Sequence, residues 1–340
     1  MGLAERPLAL TLGDPAGIGP DITLLAWTAR MRETIPPFVL IGDALVLAER
    51  ARALGLTVPI NEVPEASAAP GLFQQALPVL PVVGLGAVMA GRPNEAAVPA
   101  VKQSIERAVG LVQRGAARAV VTNPISKAVL YGAGFPFPGH TEYLAALASA
   151  KGAPLHPVMM LASPTLKVVP VTIHIPLKDA PRLLTRDLVL ATIEITASGL
   201  RRYFGLKRPR LAVSGLNPHA GEDGSLGREE IDIIMPAIEA ARAKGLDVSG
   251  PHPADTLFHT SARSTYDAAI CMYHDQALVP FKTLAFEEGV NVTLGLPFVR
   301  TSPDHGTAFR LAGTGKASPR SLIEALRLAS AMSEKAEGRA

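Results

Sequence analysis

The sequence predicts an α/β fold with mainly parallel, two-sided sheets. Two observations carry this. Short apolar runs alternate with stretches of helical periodicity almost throughout the 340 residues, which is the rhythm of βα units. Gly and Pro number 30 each and follow no period, so many short elements must be joined by tight turns. Hydrophobic residues make up 48% and charged residues 19%, a balance that excludes intrinsic disorder and coiled coil. The length corresponds to about two domains of ~150 residues.

The elements follow in order. Residues 8–12 are a strand-like run ending at Gly13-Asp14-Pro15, and a helix starts at Ile18 with Pro20 near its first turn, where a missing N–H is harmless. Residues 38–41 form a second strand, followed by a helix from Asp43. The uncharged stretch 66–91 contains Pro70, Pro78 and Pro81 and reads as turn, strand, turn, not as a membrane span. A helix opens at Asn94 or Glu95, with Val98, Val101, Ile105, Ala108, Val109 and Val112 on one side. Residues 117–121 are a buried strand ending at Thr122-Asn123-Pro124, and Gly139-His140-Thr141-Glu142 starts another helix, where Thr141 is either an ordinary N-cap or, with His140, a donor to an anion. Residues 158–161 and 167–173 read as strands. Residues 187–204 place Val189, Ile193, Thr196, Leu200 and Tyr203 at helical spacing. A strand at 210–213, a helix at 228–244, strands at 268–272 and 290–294 and a closing helix at 318–331 complete the chain. Lys282 is expected just beyond a helix. No flexible linker and no internal repeat is visible.

Composition also narrows function. The net charge of +3 is dispersed and aromatics are 5%, so a nucleic-acid partner is not expected. The N-terminus has no secretory apolar core, which with the absence of a membrane span implies a cytoplasmic chain. The single cysteine, Cys271, excludes a disulfide framework and a thiolate metal cluster. Eight histidines remain, so a metal site would rest on imidazole and carboxylate.

The polar residues able to do chemistry stand at strand exits, where open α/β sheets bind ligands. The glycine loop 13–21 is neither a P-loop nor a G-x-G-x-x-G fingerprint, and a tight βα turn would explain it. His140 and Thr141 sit at a helix start, which attracts anions. His174, His219 and His274 each follow a strand, with Asp255 and Asp275 in nearby loops. One such histidine is usually structural. Three, with no thiolate available, fit an open catalytic metal set. Lys282, Asn291 and Arg300 lie downstream, and Arg300 ends the apolar stretch 294–299, where a purely solvated cation is less expected. Lys and Arg near a helix start commonly hold phosphate.

Taken together, eight segments resemble the 4-hydroxythreonine-4-phosphate dehydrogenase family of pyridoxal phosphate biosynthesis: GDPAGIGPD (13–21), TNPISK (122–127), FPGHTEY (137–143), THIPL around His174, GLNPHAGEDG (215–224), PADTLF (253–258), MYHDQ (272–276) and GVNVTLGLPFVRTSPDHGTA (289–308). They span essentially the whole chain. The resemblance implies two α/β/α domains of the isocitrate/isopropylmalate dehydrogenase-like type, with the active site in the cleft between them. The expected first domain is 1–124 plus 285–340, with the nucleotide loop; the expected second is 125–284, with the metal ligands and dimer interface. His174, His219 and His274 match divalent-metal ligands (Zn, Mg or Co) shared across a homodimer. His140, Thr141, Lys282, Asn291 and Arg300 match substrate-contacting positions. Asp255, Asp275 and Lys282 are the expected catalytic groups. His305, Gly306, Gly313 and Gly315 match the loop that holds NAD or NADP, an architecture that needs no G-x-G-x-x-G.

The implied reaction is oxidation of 4-phosphooxy-L-threonine to 2-amino-3-oxo-4-phosphooxybutanoate, which decarboxylates to 3-amino-2-oxopropyl phosphate. Two departures stand out. Leu12 replaces a common proline, and Arg310 replaces a frequent acidic residue, which favours the 2′-phosphate of NADP. The rival readings are a dehydrogenase of 4-phosphothreonate, 4-phosphoerythronate or aromatic cis-dihydrodiols, a metal-dependent hydrolase, and a non-catalytic phosphate binder.

Overall fold

The computed structural model describes residues 6–137, 139–149 and 154–338; Pro138 of the FPGHTEY segment lies outside them. The chain forms two compact units: the described residues of Met1–Pro157 with Leu296–Glu337, and Val158–Gly295. The described residues of 125–157 thus pack with the first unit and 285–295 with the second.

The first unit begins β1 (Leu8–Thr11), α1 (Gly19–Ala29), β2 (Phe38–Gly42), α2 (Ala44–Ala53), β3 (Ile60–Glu62), α3 (Ala69–Leu72), β4 (Leu77–Pro81), α4 (Val98–Gln113), β5 (Val120–Val121), α5 (Lys127–Gly132) and α6 (His140–Ala148). The second runs β6 (Val158–Ala162), β7 (Lys167–Pro170), α7 (Ala180–Leu183), α8 (Arg186–Phe204), β8 (Arg210–Ser214), α9 (Met235–Ala243), β9 (Asp247–His252), α10 (Thr260–Arg263), β10 (Ala268–Cys271), α11 (His274–Ala285) and β11 (Val290–Leu294). The chain then re-enters the first unit with β12 (Arg300–Pro303) and α12 (Arg320–Glu337).

In the first unit the strands follow the order β3-β4-β2-β1-β5-β12, and each neighbouring pair is parallel. Every residue of β1 and β2 is buried, as expected of strands covered on both faces. Helix α4 lays Val98, Val101, Ile105, Ala108 and Val109 into the same core as Val39, Ile41 and Val120. The Asp43 carboxylate caps α2 by accepting from the Leu45 and Val46 amides.

In the second unit the order is β11-β6-β7-β10-β8-β9. The pairs β7–β10, β10–β8 and β8–β9 are parallel, while β11–β6 and β6–β7 are antiparallel. The α/β reading with mainly parallel sheets therefore holds. Thr185 caps α8 through Leu188 N–H, and Gly205 at φ 75 ends it.

Four local expectations need correction. Gly139, not Thr141, is the N-cap of α6, so Thr141 lies within its first turn. Lys282 lies in the last turn of α11, which continues through Pro280. The helix expected at 228–244 is divided, with a π-helical turn Glu230–Ile234 before α9. The strand at 167–173 stops at Pro170, because Val171 and Thr172 turn their amides to the carbonyls of Cys271 and Met272.

Candidate active site

Three adjacent parallel strands of the second unit, β7, β10 and β8, end on the same edge and lead into His174, His274 and His219 respectively. The carboxyl edge of a parallel sheet is the usual ligand edge, because chain exits and helix starts gather there. His174 and His274 line one cavity of about 240 Å³ with Thr172, Ile175, Tyr273 and Asp275. Their ring centroids are 5.6 Å apart. Two imidazoles on one tetrahedral ion, each bonded at about 2.1 Å, place their ring centres roughly 5–6 Å apart, so this pair fits a shared ion. The Asp275 carboxylate stands 2.7 Å from His274 Nδ1. A proton on Nδ1 would leave the Nε2 lone pair for a ligand, the usual carboxylate–histidine arrangement around metals. His219 does not line this cavity, and among the described residues no three His, Cys, Asp or Glu side chains converge as a metal cluster. Asp255, on the turn Ala254–Thr256, is exposed and also lies off the cavity lining.

Two of the three histidines hold backbone conformations that side chains rarely adopt. His174 has φ 50. His219 opens a left-handed turn through Ala220, Gly221, Glu222 and Asp223, with φ between 41 and 82. Each non-glycine residue there costs about 1–2 kcal/mol, and such strain persists where function or surrounding structure demands it. Gly221, at φ 82, disfavours a side chain: a Cβ would lie 2.6 Å from Glu230 Oε2 and 3.0 Å from the Gly227 carbonyl oxygen.

In the first unit, His140 and Glu142 in the first turn of α6 lie near a cationic group, Arg300. The Arg300 guanidinium is 3% exposed and donates to Thr122 Oγ1 at 2.7 Å. Burial pushes its pKa down to about 10, opposed by the Glu142 carboxylate. Burial, and then Arg300, hold the His140 imidazole well below its ordinary range. His140 Nε2 is buried without a hydrogen-bond partner, although part of the residue's surface remains accessible. A buried guanidinium, a neutral imidazole with an unpartnered Nε2 and a helix N-terminus together suit an anion. Thr141 is half-buried in the same turn. Lys127 is close by: a Cβ on Gly139 would lie 3.5 Å from its Nζ. Lys282 and Asn291 belong to the second unit. Lys282 sets its ammonium 5.4 Å from the centre of the Phe286 ring, and Asn291 on β11 has a buried Oδ1 without a partner.

The loop carrying His305, Gly306, Gly313 and Gly315 is knitted to the glycine loop 13–21. Ile18 N–H donates to Thr307 O at 2.9 Å, and Gly313 N–H donates to Asp21 Oδ1 at 2.7 Å. Asp21 is fully buried and paired with Arg50, which also donates to Gly17 O and Pro15 O. Gly306 and Gly315 face open space where a Cβ would stand, so a nucleotide can approach their backbone closely. His305 is half-buried, with Nδ1 3.1 Å from Gly306 O. A second cavity, of about 270 Å³, is lined by Asp14, Ala16, Leu85, Met89, Arg92 and Asn94, among others; burial pushes the Asp14 carboxyl up, opposed by the Ala16 amide.

Sequence reasoning missed Lys127, Asp21, Arg50, Glu230 and Gln276. The first two lie inside the matched segments TNPISK and GDPAGIGPD, and Gln276 closes MYHDQ. Arg50 and Glu230 carry no local signal, since their partners are distant in sequence.

Comparison with known proteins agrees with the α/β fold. The model of a family described as pyridoxal phosphate biosynthetic protein PdxA matches residues 33–329. The 4-hydroxythreonine-4-phosphate dehydrogenase of Methylorubrum extorquens is 59% identical over 332 residues, 97% of this chain and 95% of its own. The crystal structure of 4-hydroxythreonine-4-phosphate dehydrogenase from Klebsiella pneumoniae superposes with TM-score 0.85 at 37% identity, covering 96% of this chain and 99% of that one. A terephthalate 1,2-cis-dihydrodiol dehydrogenase from Burkholderia xenovorans is more distant, at TM-score 0.64 and 29% identity over 96% of this chain and 98% of its own. The chain belongs to the PdxA family of pyridoxal phosphate biosynthetic proteins.

Proposed function

We propose that this chain oxidises the secondary alcohol of 4-phosphooxy-L-threonine with NAD or NADP. The product, 2-amino-3-oxo-4-phosphooxybutanoate, loses CO2 to give 3-amino-2-oxopropyl phosphate. Hydride leaves the carbinol carbon for the nicotinamide and the hydroxyl proton is released; the C–C bond to the carboxylate then breaks, its electron pair passing into an enolate that takes up one proton at carbon. The observation that carries this reading is the exit of three histidines from three adjacent parallel strands, with two rings facing one cavity.

His174, His219 and His274 would hold a divalent ion such as Zn, Co or Mg. Bound there, the ion supplies Lewis acidity toward the substrate hydroxyl and the ketone formed from it. The protein's own groups bind and orient. Arg300, at the start of β12, with His140 and Thr141 in the first turn of α6, holds the phosphate. Lys282 and Asn291 supply further polar contacts to substrate. Fixing the phosphate places the reacting carbon, so remote binding energy supports the chemical step. Asp275 fixes the His274 ring, and Asp275 or Asp255 carries the released proton. The loop with His305, Gly306, Gly313 and Gly315 holds the dinucleotide through its backbone. The chain is further proposed to work in the cytoplasm as a homodimer.

The buried His140–Arg300 pair favours a phosphorylated substrate over a cis-dihydrodiol. 4-Phosphothreonate and 4-phosphoerythronate share that phosphate and form the second reading. The deciding experiment follows nicotinamide absorbance with 4-phosphooxy-L-threonine and with 4-phosphothreonate, each with and without chelator. Reduction with the amino acid that chelator abolishes is expected. No reduction with either substrate would overturn the dehydrogenase reading.

A further inference from the structure

We infer that Glu230 and Gln276 are positioning residues that set the spacing of the three strand-exit histidines; this rests on the metal-dependent reading above. The observation is a continuous hydrogen-bonded brace across the carboxyl edge of the second unit. It starts at β7, where Thr172 donates through both N–H and Oγ1 to Met272 O, at 3.2 and 2.8 Å. This locks the exit leading to His174 onto the exit leading to His274. Gln276, 8% exposed, makes the next link. Its Oε1 accepts from Met272 N–H at 2.7 Å, and its Nε2 donates to Gly215 O at 2.8 Å. One amide thereby ties the exit of β10 to the exit of β8.

Glu230 completes the brace. It is 3% exposed and begins the π-helical turn before α9, a helical irregularity that often marks functional positions. Its Oε1 accepts from Leu216 N–H and Asn217 N–H, both at 2.7 Å, and its Oε2 accepts from Asn217 Nδ2 at 3.0 Å. Asn217 stands two residues before His219, which opens the left-handed turn. A buried carboxylate used entirely on the backbone and side chain leading into a strained turn has a holding role. Neither Glu230 nor Gln276 lines the histidine cavity, so each acts through the histidines and not on substrate.

The test uses isosteric variants of the full-length protein. E230Q removes the charge and turns an amide donor toward Asn217. Q276E keeps the acceptor for Met272 N–H but loses the donor to Gly215 O. R228A, at an exposed pair with Asp232, is the control. Co2+ affinity is measured by chelator competition and the Co2+ environment by its visible spectrum, with circular dichroism to verify folding. Losing an outer partner of metal ligands costs roughly 10–100-fold in affinity, and both variants are expected to show this with an altered spectrum while R228A does not. If E230Q fails to fold, Q276E alone decides. Folded variants with unchanged affinity and spectrum would overturn the inference. If wild type binds no Co2+ that H174A or H274A weakens, the metal reading itself falls and takes this inference with it.

Discussion

At the scale of single residues, His140 and Arg300 carry the sharpest expectations. The His140 imidazole is kept neutral by burial and by Arg300. A phosphate dianion beside it reverses that balance and draws a proton onto the ring. Binding of phosphorylated substrate should therefore take up protons near neutral pH, read by calorimetry in buffers of different ionisation enthalpy. His140→Asn should lose that uptake. Stability has its own sign. The folded pKa lies below the ordinary 6.5, so below that pH the unfolded chain gains a proton that the folded chain refuses. The stability His140 contributes is present above 6.5 and lost as pH falls from there toward the folded value. The melting temperature should thus fall less steeply between neutral and mildly acidic pH in His140→Asn than in wild type; equal slopes would remove His140 from the account. Arg300→Ala forfeits a charged hydrogen bond worth about 1.5–3 kcal/mol. On that basis kcat/KM for the phosphorylated substrate should fall roughly 10–100-fold.

At the scale of elements, the Asp21–Arg50 pair joins α1 to α2 and both to the nucleotide loop through Gly313. Removing one partner of a buried pair leaves an uncompensated charge, costing about 3–5 kcal/mol. Arg50→Ala should lower the melting temperature strongly. Asp21→Asn, in molecules that remain folded, should raise KM for the dinucleotide more than KM for substrate. Arg310, exposed on the same loop, tests cofactor choice. If it favours the 2′-phosphate, Arg310→Asp shifts the kcat/KM ratio toward NAD; an unchanged ratio ends that idea. The strands and main helices were legible because their apolar periods are set by burial: β1, β2 and α4 read directly from residues such as Leu8, Phe38 and Ile105. What was not legible depends on backbone sign and long-range partners. The left-handed turn at His219 contains ordinary residues, and its reason, Glu230, stands eleven positions away. Lys282 was placed beyond its helix because periodicity does not reveal that α11 tolerates Pro280. The three strand-exit histidines were recognisable one by one. Their adjacency in the order β7-β10-β8 is a property of topology and not of spacing along the chain.

At the scale of the whole molecule, the distribution of exposed apolar side chains bears on assembly. Among the described residues, large exposed apolar side chains occur on both units; those of the second unit are Leu177, Leu183, Leu226, Ile231, Val279, Leu284 and Phe286. Several flank the proposed metal ligands in sequence: Leu177 follows His174, Leu226 and Ile231 follow His219, and Val279 lies on the helix that His274 opens. Exposed apolar groups beside the proposed ligands suit a contact surface, and the equivalent surface of a second copy is its self-complementary partner in a two-fold dimer. Light scattering coupled to size exclusion should therefore give twice the chain mass. Placing a charge in an apolar contact leaves it buried and unpaired, so Leu226→Asp should dissociate the dimer at micromolar concentration. If His219 is brought to the pair by dimerisation, the dissociated variant should lose metal affinity as well as its partner. A wild-type chain that runs as a monomer while binding metal tightly would show instead that one chain can gather the three histidines alone.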